Sequence, residues 1–317
     1  VSTAIAHPNV ALAKYWGKRA VAGNVPATPS LSVVLGGLET ATTVTFDRDP
    51  GDDLVILNGE PAIEQPRARV LGLLGEIRAR AGIARGARVE SRNDFPTASG
   101  LASSASGFAA LARAATAAAG LDLDDATVSR IARRGSASAA RSIYGGWVAL
   151  GTEDDAAAEP IAPPSHLPLS IVVAAVTLRA KATGSTPGMD HCRQTSPYYG
   201  AWLEDAPKVA AEIRAALLAR DLPKLGELAE ASALRMHACM LASAPALLYW
   251  AGPTLELLHE VRALRREGIG AWATIDAGPH VKVLTTEPEQ VAARLSPHAV
   301  RTIVAHVGEG ARLSEAR

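Results

Sequence analysis

The sequence predicts an α+β protein of two lobes, on three observations. Its 317 residues are enough for two cores of ordinary size, strand and helix patterns alternate through the first half, and an acidic, proline-rich stretch separates these from a second alternating set. Taken in order, 41–47 alternates apolar and polar side chains like a half-buried strand, and 54–59 closes on Asn58-Gly59, a strong turn signal. Positions 67–81 carry apolar residues at helical spacing, and 85–91 returns as a strand before Asn93-Asp94-Phe95-Pro96 breaks the chain. A long small-residue helix is predicted over 100–120, a shorter one over 124–134 and a strand over 145–150. Residues 152–168 hold four acidic side chains, a run of alanines and four prolines, which predicts a solvated connector and sets the lobes at 1–168 and 169–317. Beyond it, 169–176 is an apolar run suited to a buried strand, and helices follow over about 197–219, 222–240 and 253–267. Strands at 271–275 and 280–285 flank the turn Asp276-Ala277-Gly278-Pro279, and a helix near 289–295 with a strand at 302–307 completes the second lobe.

The 32 Lys and Arg balance the 32 Asp and Glu, so no global field favours nucleic acid or an anionic membrane, and any anion site must be built locally. Two cysteines, Cys192 and Cys239, are too few for a disulfide framework, and neither a signal peptide nor a long apolar run is visible. The expectation is a cytoplasmic protein that takes a small molecule and neither nucleic acid nor membrane. His237, His259 and His306 have no spacing that builds a metal site, and Cys192 has no identifiable base partner, so all four are expected to be ordinary core or surface residues.

The segment Phe95-Pro96-Thr97-Ala98-Ser99-Gly100-Leu101-Ala102-Ser103-Ser104-Ala105 is a Gly/Ser-rich loop opening into a helix. Free N–H groups at a helix start, aided by hydroxyls, bind anions, and small side chains let a polyphosphate reach the backbone. A close-packed helix start would look the same. Neither the Walker A nor the Rossmann glycine pattern is present.

Pro96 to Ala105 resembles the phosphate loop of the GHMP kinase superfamily. Other segments narrow the likeness to its mevalonate diphosphate decarboxylase family. They are Asn9-Val10-Ala11-Leu12-Ala13-Lys14-Tyr15-Trp16-Gly17-Lys18-Arg19 with Pro29-Ser30-Leu31-Ser32-Val33, then Gly135-Ser136-Ala137-Ser138-Ala139-Ala140-Arg141-Ser142 with Gly145-Gly146, then Ser185-Thr186-Pro187-Gly188-Met189 with Thr195-Ser196, and Asp276-Ala277-Gly278-Pro279. The resemblance implies a GHMP kinase fold of two α/β-sandwich lobes facing a cleft, the first like the second domain of a ribosomal protein, the second ferredoxin-like. It implies ATP and Mg2+, a phosphorylated mevalonate as substrate, and a homodimer, since relatives are usually dimers.

Residue by residue, the resemblance puts Asp276 against the substrate's tertiary hydroxyl, with Lys14 holding it ionised. A lone Asp before Ala-Gly-Pro would otherwise pass as a turn residue. Arg141 would grip the departing carboxylate with paired hydrogen bonds. Ser136, Ser138, Ser185, Thr186, Tyr15, Lys18 and Arg67 match substrate positions, while Pro96, Ser99, Gly100, Leu101, Ala102, Ser103 and Ser104 match the nucleotide loop, the last two with hydroxyls for phosphate and magnesium. No metal ligands are identified. In the family reaction ATP phosphorylates the tertiary hydroxyl; phosphate and CO2 then leave, giving isopentenyl diphosphate, a step in the mevalonate pathway of isoprenoid biosynthesis. The rivals are a decarboxylase of mevalonate 5-phosphate, a 3-kinase that stops at the phosphorylated product, and a non-enzymatic binding module. Asp190-His191-Cys192-Arg193-Gln194 and His280 depart from the commoner family form, where asparagine is expected after the Gly-Pro.

Overall fold

The structure, a computed structural model, describes residues 1–95, 103–179 and 181–314. In chain order the elements are β1 (Ser2–Ala6), β2 (Asn9–Ala13), β3 (Ser30–Gly36), β4 (Thr40–Arg48), β5 (Leu54–Leu57), β6 (Glu60–Pro61), α1 (Glu64–Ala81), β7 (Gly86–Asn93), α2 (Ser103–Ala118), α3 (Asp125–Gly135), β8 (Trp147–Leu150), β9 (Ala158–Ala162) and β10 (Ser170–Ala175). There follow α4 (Ser185–Thr195), α5 (Tyr199–Leu218), α6 (Leu222–Leu241), α7 (Gly252–Arg266), β11 (Ala271–Ile275), β12 (Val281–Thr285), α8 (Pro288–Leu295), β13 (Arg301–Val307) and β14 (Arg312–Leu313). The Asn58-Gly59 turn forms as its residues predict, both with positive φ.

The strands make two sheets. One runs β14-β1-β4-β7-β5-β6 and packs against α1, α2 and α3, where the alanines of α2 let it lie close on β1 and β4. The other runs β11-β12-β10-β13-β3-β8-β9, with β2 paired to β3. On β10 the side chains alternate between two cores: Ile171 and Val173 face α5 and α6, whereas Val172 and Ala174 face α7 and α8. Burial on both faces explains why the segment reads as an unbroken apolar run.

This larger sheet passes through both halves of the chain. Strand β13 pairs with β3 through His306 opposite Gly36 and Val307 opposite Leu35, and β14 then returns to β1. The 152–168 connector is a correction: it contains β9, the edge strand beside β8. An edge tolerates Pro160, whose missing N–H costs no ladder bond on the open side, so the prolines hid the strand. Three of its four acidic residues are in ion pairs, Glu159 with Arg214, Asp155 with Arg130 and Asp154 with Arg19. Segment 185–195, read only as a motif, is a helix, since a proline in the first turn removes an N–H that would have no partner anyway.

Candidate active site

Asp276 follows β11 and opens the turn to β12. Its backbone carbonyl accepts from the Gly278 amide at 2.7 Å and from His237 Nε2 on α6 at 3.1 Å, which fixes the turn. Lys14 leaves the end of β2, is anchored by its amide to Ser232 Oγ on α6 at 3.0 Å, and places Nζ 2.5 Å from Asp276 Oδ1. The other oxygen, Oδ2, accepts from Lys282 Nζ at 2.7 Å. Both lysines are 2% exposed. Burial raises the Asp276 carboxyl pKa, but the two ammonium groups outweigh it and hold the group well below the usual carboxylate range. Burial, then repulsion from Lys282 and Arg141, pushes Lys14 down to about 8 against the pull of Asp276.

Arg141 lies in the short helical turn Ala137–Ile143 and is 2% exposed. One Nη donates to Ser30 Oγ at 2.7 Å, while its buried Nε has no partner among the described residues. The Tyr15 hydroxyl is also buried without a partner there, and burial raises its pKa first of all. Burial brings Arg141 down to about 10, opposed by Tyr15 and Asp276, so these groups share one region. Arg141 and Tyr15 therefore keep hydrogen-bonding capacity that a bound carboxylate or phosphate could use.

Lys18 donates to Asn24 Oδ1 and Thr186 Oγ1, each at 2.7 Å, and Ser185 accepts from Lys181 Nζ at 2.8 Å. The first turn of α4, with its free amides, is thereby tied to two ammonium groups. Gly17, at φ +112°, lets the chain bend into Lys18, where a Cβ would sit 2.2 Å from the Tyr199 hydroxyl. Ser136 and Ser138 bring their hydroxyls to 3.2 Å of each other just ahead of Arg141. A cavity of about 560 Å³ opens beside Lys18, lined also by Arg19, Arg193 and Tyr199. Ser103 and Ser104 begin α2, and Pro96, Ser99, Gly100, Leu101 and Ala102 lie outside the described residues.

One predicted residue is misplaced. Arg67 is exposed on α1 and donates to the Asp53 carbonyl at 3.2 Å, away from this region. Two residues on, around the helix, Arg69 donates to the Gly135 carbonyl, stacks over Phe108, and lies near enough to lower the Lys18 pKa, after burial. Residues two apart on a helix point about 200° apart, which separates the two arginines.

Three further residues escaped the sequence reading. Lys282 was legible only as a cation inside an otherwise apolar strand, Val281-Lys282-Val283-Leu284. Lys181 Nζ bridges Ser185 and the Ala277 carbonyl, and burial lowers it to about 8. His237, expected to be ordinary, supports the Asp276 turn; burial, then Lys14, brings it down to about 4, so it is neutral and donates from Nε2. His280 accepts the Val176 amide on Nδ1 at 3.0 Å and also falls to about 4 through burial. Cys192 and Cys239 are buried free thiols, and no trio of His, Cys, Asp or Glu gathers among the described residues. No helix there is long and apolar enough to cross a membrane.

Around one carboxylate, then, stand four cations: Lys14, Lys181, Lys282 and Arg141. That surplus of positive charge suits a polyanion, as a small-molecule phosphoryl-transfer site on a GHMP kinase fold requires. Residues 6–161 match the diphosphomevalonate decarboxylase-like N-terminal domain and residues 171–309 the mevalonate 5-diphosphate decarboxylase C-terminal domain. The human diphosphomevalonate decarboxylase is 36% identical over 90% of this chain and 76% of its own length. The phosphomevalonate decarboxylase of Haloferax volcanii is 35% identical over 97% of this chain and 95% of its own. A solved structure, MDDEF in complex with MVAPP, AMPPCP and magnesium, superposes with a TM-score of 0.92 at 39% identity, covering 99% of either chain. On both domains the chain belongs to the mevalonate diphosphate decarboxylase family.

Proposed function

We propose that this chain catalyses the ATP-dependent decarboxylation of mevalonate 5-diphosphate to isopentenyl diphosphate, ADP, phosphate and CO2. The observation that carries the reading is the ionised Asp276 held between two buried lysines, beside an arginine with an unspent buried N–H. The tertiary hydroxyl takes the γ-phosphoryl group of ATP; the C–O bond to that phosphate then breaks as the carboxylate leaves. Cleavage builds positive charge on a tertiary carbon, which a fixed carboxylate stabilises in a site shielded from water. A carboxyl with both oxygens engaged and its pKa depressed is a poor base, so Asp276 acts here mainly through its charge. Arg141 orients the departing carboxylate along the breaking bond.

Lys18, Tyr15, Thr186, Ser185, Ser136 and Ser138 take the phosphate tail, with Arg69 in place of Arg67. Ser103 and Ser104, with the loop before them, take the nucleotide phosphates. Magnesium needs only one or two protein oxygens when phosphates supply the rest, which fits a helix start bearing Ser103 and no carboxylate trio among the described residues. When bound it neutralises the transferring phosphates.

The division at 168/169 belongs to this reading as a division of the sequence, supported by the separate domain matches, while the larger sheet takes strands from both sides of it. So does a cytoplasmic homodimer, its assembly checked by sedimentation. A monophosphate substrate is the second reading, favoured by the Haloferax relative, which aligns over nearly all of both chains. Offering mevalonate, its 5-phosphate and its 5-diphosphate separately with ATP and magnesium, and following ADP and CO2 together, tests both. The 5-diphosphate should give both products in equal amounts; ADP without CO2 from every substrate would contradict the proposal. In the same assay Asp276→Asn should lower kcat by about 10³-fold, with much smaller change in ATP affinity.

A further inference from the structure

We propose that Lys282 is a positioning residue for this reaction: from inside the sheet it fixes the second oxygen of Asp276, so that the carboxylate meets the reacting carbon in a single orientation. The inference rests on the reading of Asp276 given above. On β12, Val281 and Val283 face α7 and α8, so Lys282 projects from the other face of the sheet, toward β2 and α6. A buried ammonium in an interior strand is costly unless paired, and its partner is Asp276. A carboxylate held at one oxygen still swivels about its last torsion. Held by Lys14 on Oδ1 and Lys282 on Oδ2, it does not.

The groups that face Asp276 come from every neighbouring element. Lys14 stands at the end of β2, Lys282 on β12, Lys181 in the connection from β10 to α4, Arg141 in the 137–143 turn and His237 on α6, with His280 just past the turn. Of these, Lys282 is the one whose ammonium both binds the carboxylate and repels Lys14 and Lys181. Taking its charge away therefore raises the pKa of Asp276 and those of the two lysines together.

The test is Lys282→Met beside Lys282→Arg, with kcat, KM for ATP and substrate, a kcat–pH profile and a thermal melt for each. Lys282→Met should lower kcat by about 100-fold with KM for ATP within about threefold, and the alkaline limb of its pH profile should move to higher pH. Lys282→Arg, which keeps a cation, should recover at least about a tenth of wild-type kcat with the wild-type profile. Wild-type kcat and profile in Lys282→Met would overturn the proposal. So would equal impairment of both variants with an unmoved profile, or loss of the folded state in both, since each assigns Lys282 to the scaffold alone. Asp276→Asn run alongside separates the two ideas. An active Asp276→Asn sinks the parent reading, whereas an inactive one beside an indifferent Lys282→Met sinks only this inference.

Discussion

Arg141 spends one N–H on Ser30 and keeps its buried Nε free of any described partner, so the guanidinium is anchored at one end and open at the other. Such a group can aim a carboxylate without being needed to transfer phosphate. Arg141→Gln should therefore cut CO2 release by about 10–100-fold more than ADP formation, reflecting loss of a paired charge-assisted contact. Parallel assays of the two products check it, and equal losses would place Arg141 ahead of phosphoryl transfer. The sign of the pH response follows from Lys14, whose ammonium loses its proton as pH rises through about 8, well short of an ordinary lysine. Asp276 then loses one of its two clamps, so kcat should fall on the alkaline side near pH 8, and Lys14→Arg should move that limb upward. Lys14, Arg141 and Asp276 were legible because each sits in a recognisable segment. Lys282 was not, because a single lysine in an apolar strand has no local pattern, and Arg69 was displaced by two positions on a helix whose facing only packing decides.

The join between β13 and β3 depends on two glycines in close contact. A Cβ at Gly308 would lie 2.4 Å from the Gly36 amide nitrogen, and backbone there has no room to yield. Gly308→Ala should cost about 2–3 kcal/mol in urea unfolding, as overpacked sites do, with no change in ligand chemistry. Most elements could be read from local signals: β11 is found where the Asp276–Pro279 turn put it, and α5, α6, α7 and α8 fall within a few residues of their apolar spacing. What failed was local chemistry that points two ways. Pro160 argues against a strand but suits an edge, and Pro187-Gly188 argues for a turn but suits the first turn of α4.

On the scale of the molecule, pairing across the chain's two halves was invisible to any window of sequence, because β13 meets β3 across most of the chain's length. The 1–168 fragment made alone would leave β1 without β14 and β3 without β13, so it should show no cooperative melt, whereas the full chain should unfold in one transition. A sharp melt of the fragment would contradict that. Net charge is equally silent about the cleft, since a balanced total conceals four cations grouped around one carboxylate. The cavity beside Lys18, Arg19 and Arg193 carries the same excess of positive charge at the surface. Sulfate or inorganic phosphate should therefore compete with substrate there, raising its apparent KM while leaving kcat unchanged, and steady-state kinetics in buffers of different anions check it.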